Sequence, residues 1–271
     1  MIETDCAYMQ YLRIDTTKIH ALLLDMDGVL WKDDIPIGNL ENIFAKIAHK
    51  NWKVILVTNN STKTPEQYLA KLSSFNVKLE FWQILTSSMT AAIYLQDRHP
   101  HGGPVYIIGE QGLIDALKGC NFFQEDKNPI AVVVGMDRYL TYEKLKKATI
   151  FLRSGVSFIA SNTDLTFPST EGLIPGAGSI VAALEAASGI SPTVTGKPSP
   201  NIYHLALDRL GTSPEETLVI GDRLETDIVG AQAIGCPAAL VLSGVTTQEQ
   251  AVRWMPPLDI IAPDLACIVN M

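Results

Sequence analysis

The stretch HALLLDMDGVLW, residues 20–31, decides the fold. Ala21 to Leu24 make an apolar run too short for a helix and too uniform for a strand with one wet face. They read as a strand buried on both sides. Asp25 and Asp27 stand where that strand leaves the sheet, one residue apart, with Gly28 directly after them. A glycine there signals a sharp turn or a close approach by another group. Two neighbouring carboxylates repel each other unless a cation or a shared proton offsets their charge. A strand end that accepts this cost points to a site.

The same grammar continues outward. Leu40, Ile43, Phe44, Ile47 and Ala48 have helical spacing and predict a helix over 39–51. KVILVTNNST follows, with a short aliphatic strand over 54–57 that ends in Thr58, Asn59 and Asn60. Thr64 then caps a helix whose first residue is Pro65. The C-terminal third repeats the pattern. A helix from Pro200 to Leu210 is closed by Gly211, a strand ends at Gly221 and Asp222, a helix covers 226–234, and CPAALVL supplies another strand. Apolar strands alternating with helices predict a parallel sheet covered on both faces.

The segment 87–187 has its own strands (PVYIIG, IAVVVGM, VSFIASN) and helices (110–118, 142–153, 178–188). About 100 residues suffice for a self-contained α/β unit. The expected architecture is therefore α/β: a doubly wound, Rossmann-like parallel-sheet core, 1–86 and 188–271, interrupted by a smaller inserted α/β domain at 87–187.

Composition bounds the rest. The chain has 271 residues, 47% of them hydrophobic and 18% charged, which is ample material for a core. A formal charge of -8 without any basic block argues against nucleic acid as a partner. Cys6, Cys120, Cys236 and Cys267 are scattered without CxxC or metal-finger spacing, so reduced thiols are expected. MIETDCAYMQ lacks the basic start and apolar core of a signal peptide, and no apolar run approaches the ~18 residues of a membrane span. The expected location is cytoplasmic.

In an open parallel sheet, ligands gather beyond the carboxyl ends of the strands. Here three core strands end in polar sets: Asp25 with Asp27, Thr58 to Asn60, and Asp222 to Asp227. VTGKPSP adds Lys197 ahead of a helix start. Each set alone has an ordinary explanation as a turn, a cap or a surface lysine. All of them at one edge fit phosphoryl transfer. Asp25 can attack phosphorus as a carboxylate nucleophile. Asp27 can protonate the leaving oxygen and later deprotonate water. Thr58 and nearby backbone N–H groups can hold phosphate oxygens, with Lys197 balancing their charge. Asp25, Asp27, Asp222 and Asp227 against one lysine would still repel a phosphate dianion. A hard divalent cation with oxygen ligands, Mg²⁺, resolves this.

DMDGVLW, VTNNST, GKPSP and GDRLETDI, in that order, resemble the four motifs of the haloacid-dehalogenase-like hydrolase superfamily. More narrowly, the chain resembles its NagD-type phosphatases, which include p-nitrophenyl and pyridoxal-phosphate phosphatases. These carry an α/β cap between the second and third motifs, and VVVGMDRYLTYEKL and SNTDLTFPSTEGLIPGAGSI resemble that cap. The likeness runs from His20 to about Asp264. It implies a Mg²⁺-dependent hydrolase of small phosphate esters working through an aspartyl-phosphate, with p-nitrophenyl phosphate as an artificial substrate. By the same resemblance Asp25 is nucleophile and metal ligand, and Asp27 is acid/base and lends the metal its backbone carbonyl. Thr58, Asn59, Asn60 and Lys197 bind the phosphoryl group. Asp222 ligates Mg²⁺, and Asp227 orients water on the ion or Lys197, so its place as a direct ligand stays open. Residues 1–19 are longer than such proteins need and carry no assigned role.

Asn162 and Asp164 follow the VSFIAS strand on a loop that the family turns toward the active site. They can contact the leaving group or close an Asx turn on their own backbone. His20 reads as the residue leading into the first strand. Asp27 speaks against a metal-free dehalogenase, and the lack of membrane segments against an ion pump. Two alternatives to the enzyme are a catalytically weak phosphate- or metabolite-binding relative and a receiver-like phosphoacceptor domain. The receiver places its acceptor on a later strand and lacks a cap. The natural substrate stays open, as does a homo-oligomer through the cap, since cap-mediated dimers occur among similar proteins.

Overall fold

β1 (Ala21–Leu24) is the strand expected from the opening stretch, and all four of its residues are buried. The structure, a computed structural model, describes residues 14–169 and 171–271. In chain order the other strands are β2 (Trp31–Lys32), β3 (Ile35–Pro36), β4 (Lys53–Thr58), β5 (Ile84–Thr86), β6 (Gly103–Ile108), β7 (Phe122–Gln124) and β8 (Ala131–Val134). There follow β9 (Ser157–Ala160), β10 (Thr166–Ser169), β11 (Gly172–Pro175), β12 (Thr193–Val194), β13 (Thr217–Gly221), β14 (Ala238–Val241) and β15 (Ile260–Ala262).

The chain divides into two compact units. The first takes residues 14–57, 69–85 and 203–271. Its sheet has the order β15-β14-β13-β1-β4-β5. β1 lies at the point where the strand order reverses: it pairs in parallel with β4 on one side (Leu24 opposite Leu56) and β13 on the other (Leu24 opposite Ile220). A reversal of this kind leaves a crevice at the carboxyl ends of the strands. Helix Leu40–His49 forms as its spacing predicts, burying Leu40, Ile43 and Ile47, with Asn39 Oδ1 accepting the Asn42 N–H at 2.9 Å as its cap. Helix Pro200–Leu210 stops at Gly211, whose φ of +62° glycine adopts without a Cβ penalty.

The second unit takes residues 58–68 and 86–202. Its sheet, β12-β9-β8-β6-β7, is parallel throughout and buried on both faces. Alternation along the strands sorts the two cores. Tyr106, Ile108, Val132, Val134 and Phe158 pack with Ala148 and Leu152 of helix Tyr142–Arg153 and with Ile180 and Leu184 of helix Ala177–Ser188. Val105, Ala131, Val133 and Ile159 pack on the opposite side with Leu95 of helix Ser87–Gln96 and Leu113 of helix Gln111–Gly119. β10 and β11 form a separate antiparallel hairpin.

The expected insert, 87–187, lies wholly within this second unit, which extends further. β12 adds an edge to the sheet beyond residue 187 through its pairing with β9, and residues 58–68 join the same unit. Two expectations are corrected. The helix predicted over 226–234 begins as a π-helical turn, Leu224–Ile228, and becomes α-helical only at Val229–Ala233. Cys120 and Cys236 are free thiols as expected, but Cys267 is disulfide-bonded. Among the described residues, no helix is long and apolar enough to cross a membrane.

Candidate functional site

β1 delivers Asp25 to the carboxyl edge of the first sheet, where its backbone N–H donates to Ile220 C=O at 2.9 Å. Adjacent β13 delivers Asp222. The π-helical turn that follows brings Asp227 back to them. Such a turn adds a residue per loop of helix, and it is a common way to aim a functional side chain. One carboxylate oxygen from each of Asp25, Asp222 and Asp227 lies within 4.8 Å of the other two. Asp222 and Asp227 are each only 1% exposed.

Local hydrogen bonds hold these side chains. Val245 N–H donates to Asp222 Oδ2 at 2.8 Å, and Thr246 Oγ1 donates to the Asp222 carbonyl at 2.6 Å. Ser243 Oγ donates to Gly28 C=O at 2.7 Å. Asp227 Oδ2 accepts the Arg223 N–H at 3.1 Å, closing the start of its own turn. Gly28 satisfies both readings of its sequence context. Its φ is +86°, and a Cβ there would lie 2.5 Å from Asp222 Oδ2. The segment 243–246 was not picked out from the sequence. The available signal was a run of small and polar residues directly after β14.

Three carboxylates gathered at this depth destabilise one another and lose hydration. A hard divalent cation removes both penalties, and all-oxygen donors suit Mg²⁺. The residues present therefore fit that ion. Asp27 is not one of the three. Its Oδ1 accepts the Trp31 indole N–H at 2.8 Å, within a turn in which Gly28 N–H donates to Trp31 C=O at 2.8 Å.

The remaining expected residues lie in the second unit. Thr58 is 2% exposed, and its Oγ1 accepts the Asn60 N–H at 3.1 Å, leaving the hydroxyl proton to donate elsewhere. Asn60 Oδ1 accepts from the N–H and Oγ1 of Thr62 at 3.0 and 2.8 Å, so the acceptor end of this side chain is engaged in a local turn. Asn59 is turned to protein. Its Oδ1 accepts Lys197 N–H at 2.8 Å, while its Nδ2 donates to Lys197 C=O at 2.9 Å and to Asp164 Oδ1 at 3.2 Å. Lys197 itself is 4% exposed.

Asn162 is likewise committed. Its Oδ1 accepts Asp164 N–H at 3.1 Å, which is the Asx turn, and its Nδ2 donates to Asn59 C=O at 2.7 Å. With 4% exposure it is a strut between two loops, and its Oδ1 makes the Asx turn that was the other reading of this position. Asp164 is partly exposed and keeps a carboxylate on the loop.

A family model described as haloacid dehalogenase-like hydrolase matches residues 22–123, and a second, HAD-hydrolase-like, matches 194–268. An acid sugar phosphatase of Staphylococcus aureus is 36% identical over 239 residues, covering 88% of this chain and 92% of its own. The crystal structure of a 4-nitrophenylphosphatase from Thermotoga maritima superposes with a TM-score of 0.90 at 33% identity, over 94% of this chain and 98% of that one. A glycerol phosphate phosphatase from Mycobacterium tuberculosis, solved in complex with magnesium, gives 0.86 at 31% identity over 96% and 78%.

Proposed function

The chain belongs to the haloacid dehalogenase-like hydrolase family, and from that premise we propose that it releases phosphate from small sugar phosphates with Asp25 as nucleophile. It is a phosphoric monoester hydrolase. The observation that carries the proposal is the trio of Asp25, Asp222 and Asp227 at the edge of β1 and β13. The sugar-phosphate class is supported by the acid sugar phosphatase, and p-nitrophenyl phosphate as an artificial substrate by the 4-nitrophenylphosphatase.

In the proposed cycle an Asp25 carboxylate oxygen attacks phosphorus and the ester P–O bond breaks. Asp27 gives its proton to the departing alkoxide, leaving an aspartyl-phosphate. Asp27, now ionised, takes a proton from water as that water attacks phosphorus. Phosphate leaves and both carboxyl groups return to their starting states. The N–H of Trp31 holds one oxygen of Asp27 and leaves the other for the proton. Thr58, the backbone N–H groups after it and Lys197 hold the phosphoryl oxygens. Asp25, Asp222 and Asp227, with the Asp27 carbonyl, would hold Mg²⁺. When bound, the ion supplies the positive charge that lets a phosphate dianion approach these carboxylates.

Asp164, from the segment 87–187 read as a cap, is the proposed contact to the leaving group. The proposed partners are small phosphate esters and a second copy of the chain through the cap. The net charge of -8 lends nucleic acid no support. The location proposed is cytoplasmic, on the sequence reading alone; a disulfide at Cys267 is unusual for that compartment.

The test is phosphate release from a panel of sugar phosphates and p-nitrophenyl phosphate, with and without Mg²⁺, beside an Asp25→Asn control. Turnover that needs both the ion and Asp25 is expected. Failure to hydrolyse any member of the panel would overturn the reading.

A further inference from the structure

Asn59 uses its amide as if it were a piece of backbone. Oδ1 accepts Lys197 N–H at 2.8 Å and Nδ2 donates to Lys197 C=O at 2.9 Å, so both main-chain groups of one residue are captured by one side chain. The second hydrogen of Nδ2 points to the Asp164 carboxylate, 3.2 Å from Oδ1 and 3.3 Å from Oδ2. Asn59 is itself fixed: its carbonyl accepts from Ser87 Oγ and from Asn162 Nδ2, each at 2.7 Å. All of these residues belong to the second unit. The neighbouring position is shaped for this approach, since a Cβ on Gly196 would lie 2.6 Å from Asn59 Oδ1 and overlap the Ser161 carbonyl.

From this geometry we infer that Asn59 is a positioning residue, which sets the backbone of Lys197 and the carboxylate of Asp164 rather than touching the phosphoryl group with its side chain. The inference rests on the phosphatase reading, in which Lys197 holds phosphoryl oxygens and Asp164 meets the leaving group. A lysine ammonium rides on a flexible four-carbon stem, so its place depends on where its Cα is held. Clamping both the N–H and the C=O of Lys197 fixes that Cα before substrate arrives. A primary amide is needed because the task requires an acceptor and two donors on one short planar group. Threonine or aspartate at 59 would supply fewer donors, and aspartate would also set a second negative charge against Asp164.

The experiment is a double-mutant cycle on p-nitrophenyl phosphate, reading kcat and KM separately with Mg²⁺ saturating. Asn59→Ala in the parent should lower kcat/KM by about 10- to 100-fold, the scale of a misplaced catalytic group. In a Lys197→Ala background the same change should cost less than about 2-fold, because the ammonium that Asn59 positions is gone and Asp164 contributes little to a leaving group such as p-nitrophenolate. Asn59→Asp, nearly isosteric and so tolerant of folding, should lose at least as much as the alanine variant, and adding Asp164→Ala should recover part of that loss. An Asn59→Ala penalty of equal size with and without Lys197 would overturn the inference, as would an Asn59→Asp enzyme of parental activity. A parent chain that hydrolyses nothing overturns the phosphatase reading and this inference with it; an active parent with an additive cycle overturns the inference alone.

Discussion

The Trp31 indole N–H sits 2.8 Å from Asp27 Oδ1, so a buried aromatic ring four residues along the chain holds the carboxylate assigned to proton transfer. Trp31 is 1% exposed and is itself braced by the Lys71 ammonium, 4.4 Å from its ring centre. The arrangement fixes one oxygen of Asp27 and leaves the other available. Trp31→Phe should keep most of the packing and lose this bond. A hydrogen bond of roughly 0.5–1.5 kcal/mol corresponds to about a 2- to 13-fold fall in kcat on an alkyl phosphate. The loss should be smaller on p-nitrophenyl phosphate, whose leaving group departs without a proton. Equal losses on both substrates would separate Trp31 from the acid's work.

Asp25→Asn should leave the fold intact and reduce turnover by a factor on the order of 10⁴ or more, since an amide cannot attack phosphorus. Phosphate release under single- and multiple-turnover conditions checks this. A variant within tenfold of the parent would remove Asp25 from the nucleophile's role.

Mg²⁺ should raise the melting temperature of the parent chain. A ligand present at 100 times its dissociation constant stabilises by about 2.7 kcal/mol. Asp222→Asn keeps the acceptor for Val245 N–H but loses a charge from the trio, so the shift with MgCl₂ should shrink sharply. A thermal melt reads this without any turnover, and an undiminished shift would place the ion elsewhere.

Asn162→Ala and Asp164→Ala should behave differently although they are two residues apart. Asn162 bridges two loops, and its loss removes one of the two donors to the Asn59 carbonyl together with the side-chain acceptor of the Asp164 N–H. A destabilisation of about 1–3 kcal/mol is expected, visible as a lower Tm. Asp164→Ala should instead change the ratio of kcat/KM for a sugar phosphate over p-nitrophenyl phosphate, by about 2- to 13-fold. Parallel changes in that ratio for both variants would return Asn162 to the substrate.

Cys236 is 4% exposed, and burial, with a smaller push from the charge of Glu215, raises its thiol to about 12. A raised value means less thiolate, so at pH 8 about one molecule in 10⁴ carries the reactive form. Native protein should leave Cys236 unalkylated by iodoacetamide, and the same residue should react once the chain is unfolded. Peptide mapping by mass spectrometry gives the answer, and rapid native labelling would contradict it.

Four strands of the first sheet, β1, β4, β13 and β14, and the carboxylates at the ends of β1 and β13 were legible in the sequence because they depend on local pattern. The three-residue edge strands β5 and β15 were not. A strand buried on both faces has to be apolar along its length, as Ala21–Leu24 is and as residues 218–220 are, and several polar sets at the ends of such strands are harder to explain as turns than any one alone. Helix Ser87–Gln96 was missed for the same physical reason in reverse. Its buried residues, from Ser87 through Thr90 to Leu95, leave no polar face to set up a period. The π-helical turn at Leu224–Ile228 was invisible too, since one extra residue in a helical loop changes no residue type.

The sequence by itself determined the fold class and the acidic and polar sets at the strand ends, because apolar periodicity and the spacing of charges are properties of composition along a line. Tertiary structure alone decided which of these residues come together. It joined Asp25, Asp222 and Asp227 within 4.8 Å across some 200 residues of chain, and it left Asp27 to Trp31. It also turned Asn59 and Asn162 inward, as struts for Lys197 and Asp164. An amide offers the same donors and acceptors to a phosphate as to a peptide, so only the direction it faces reveals which partner it serves.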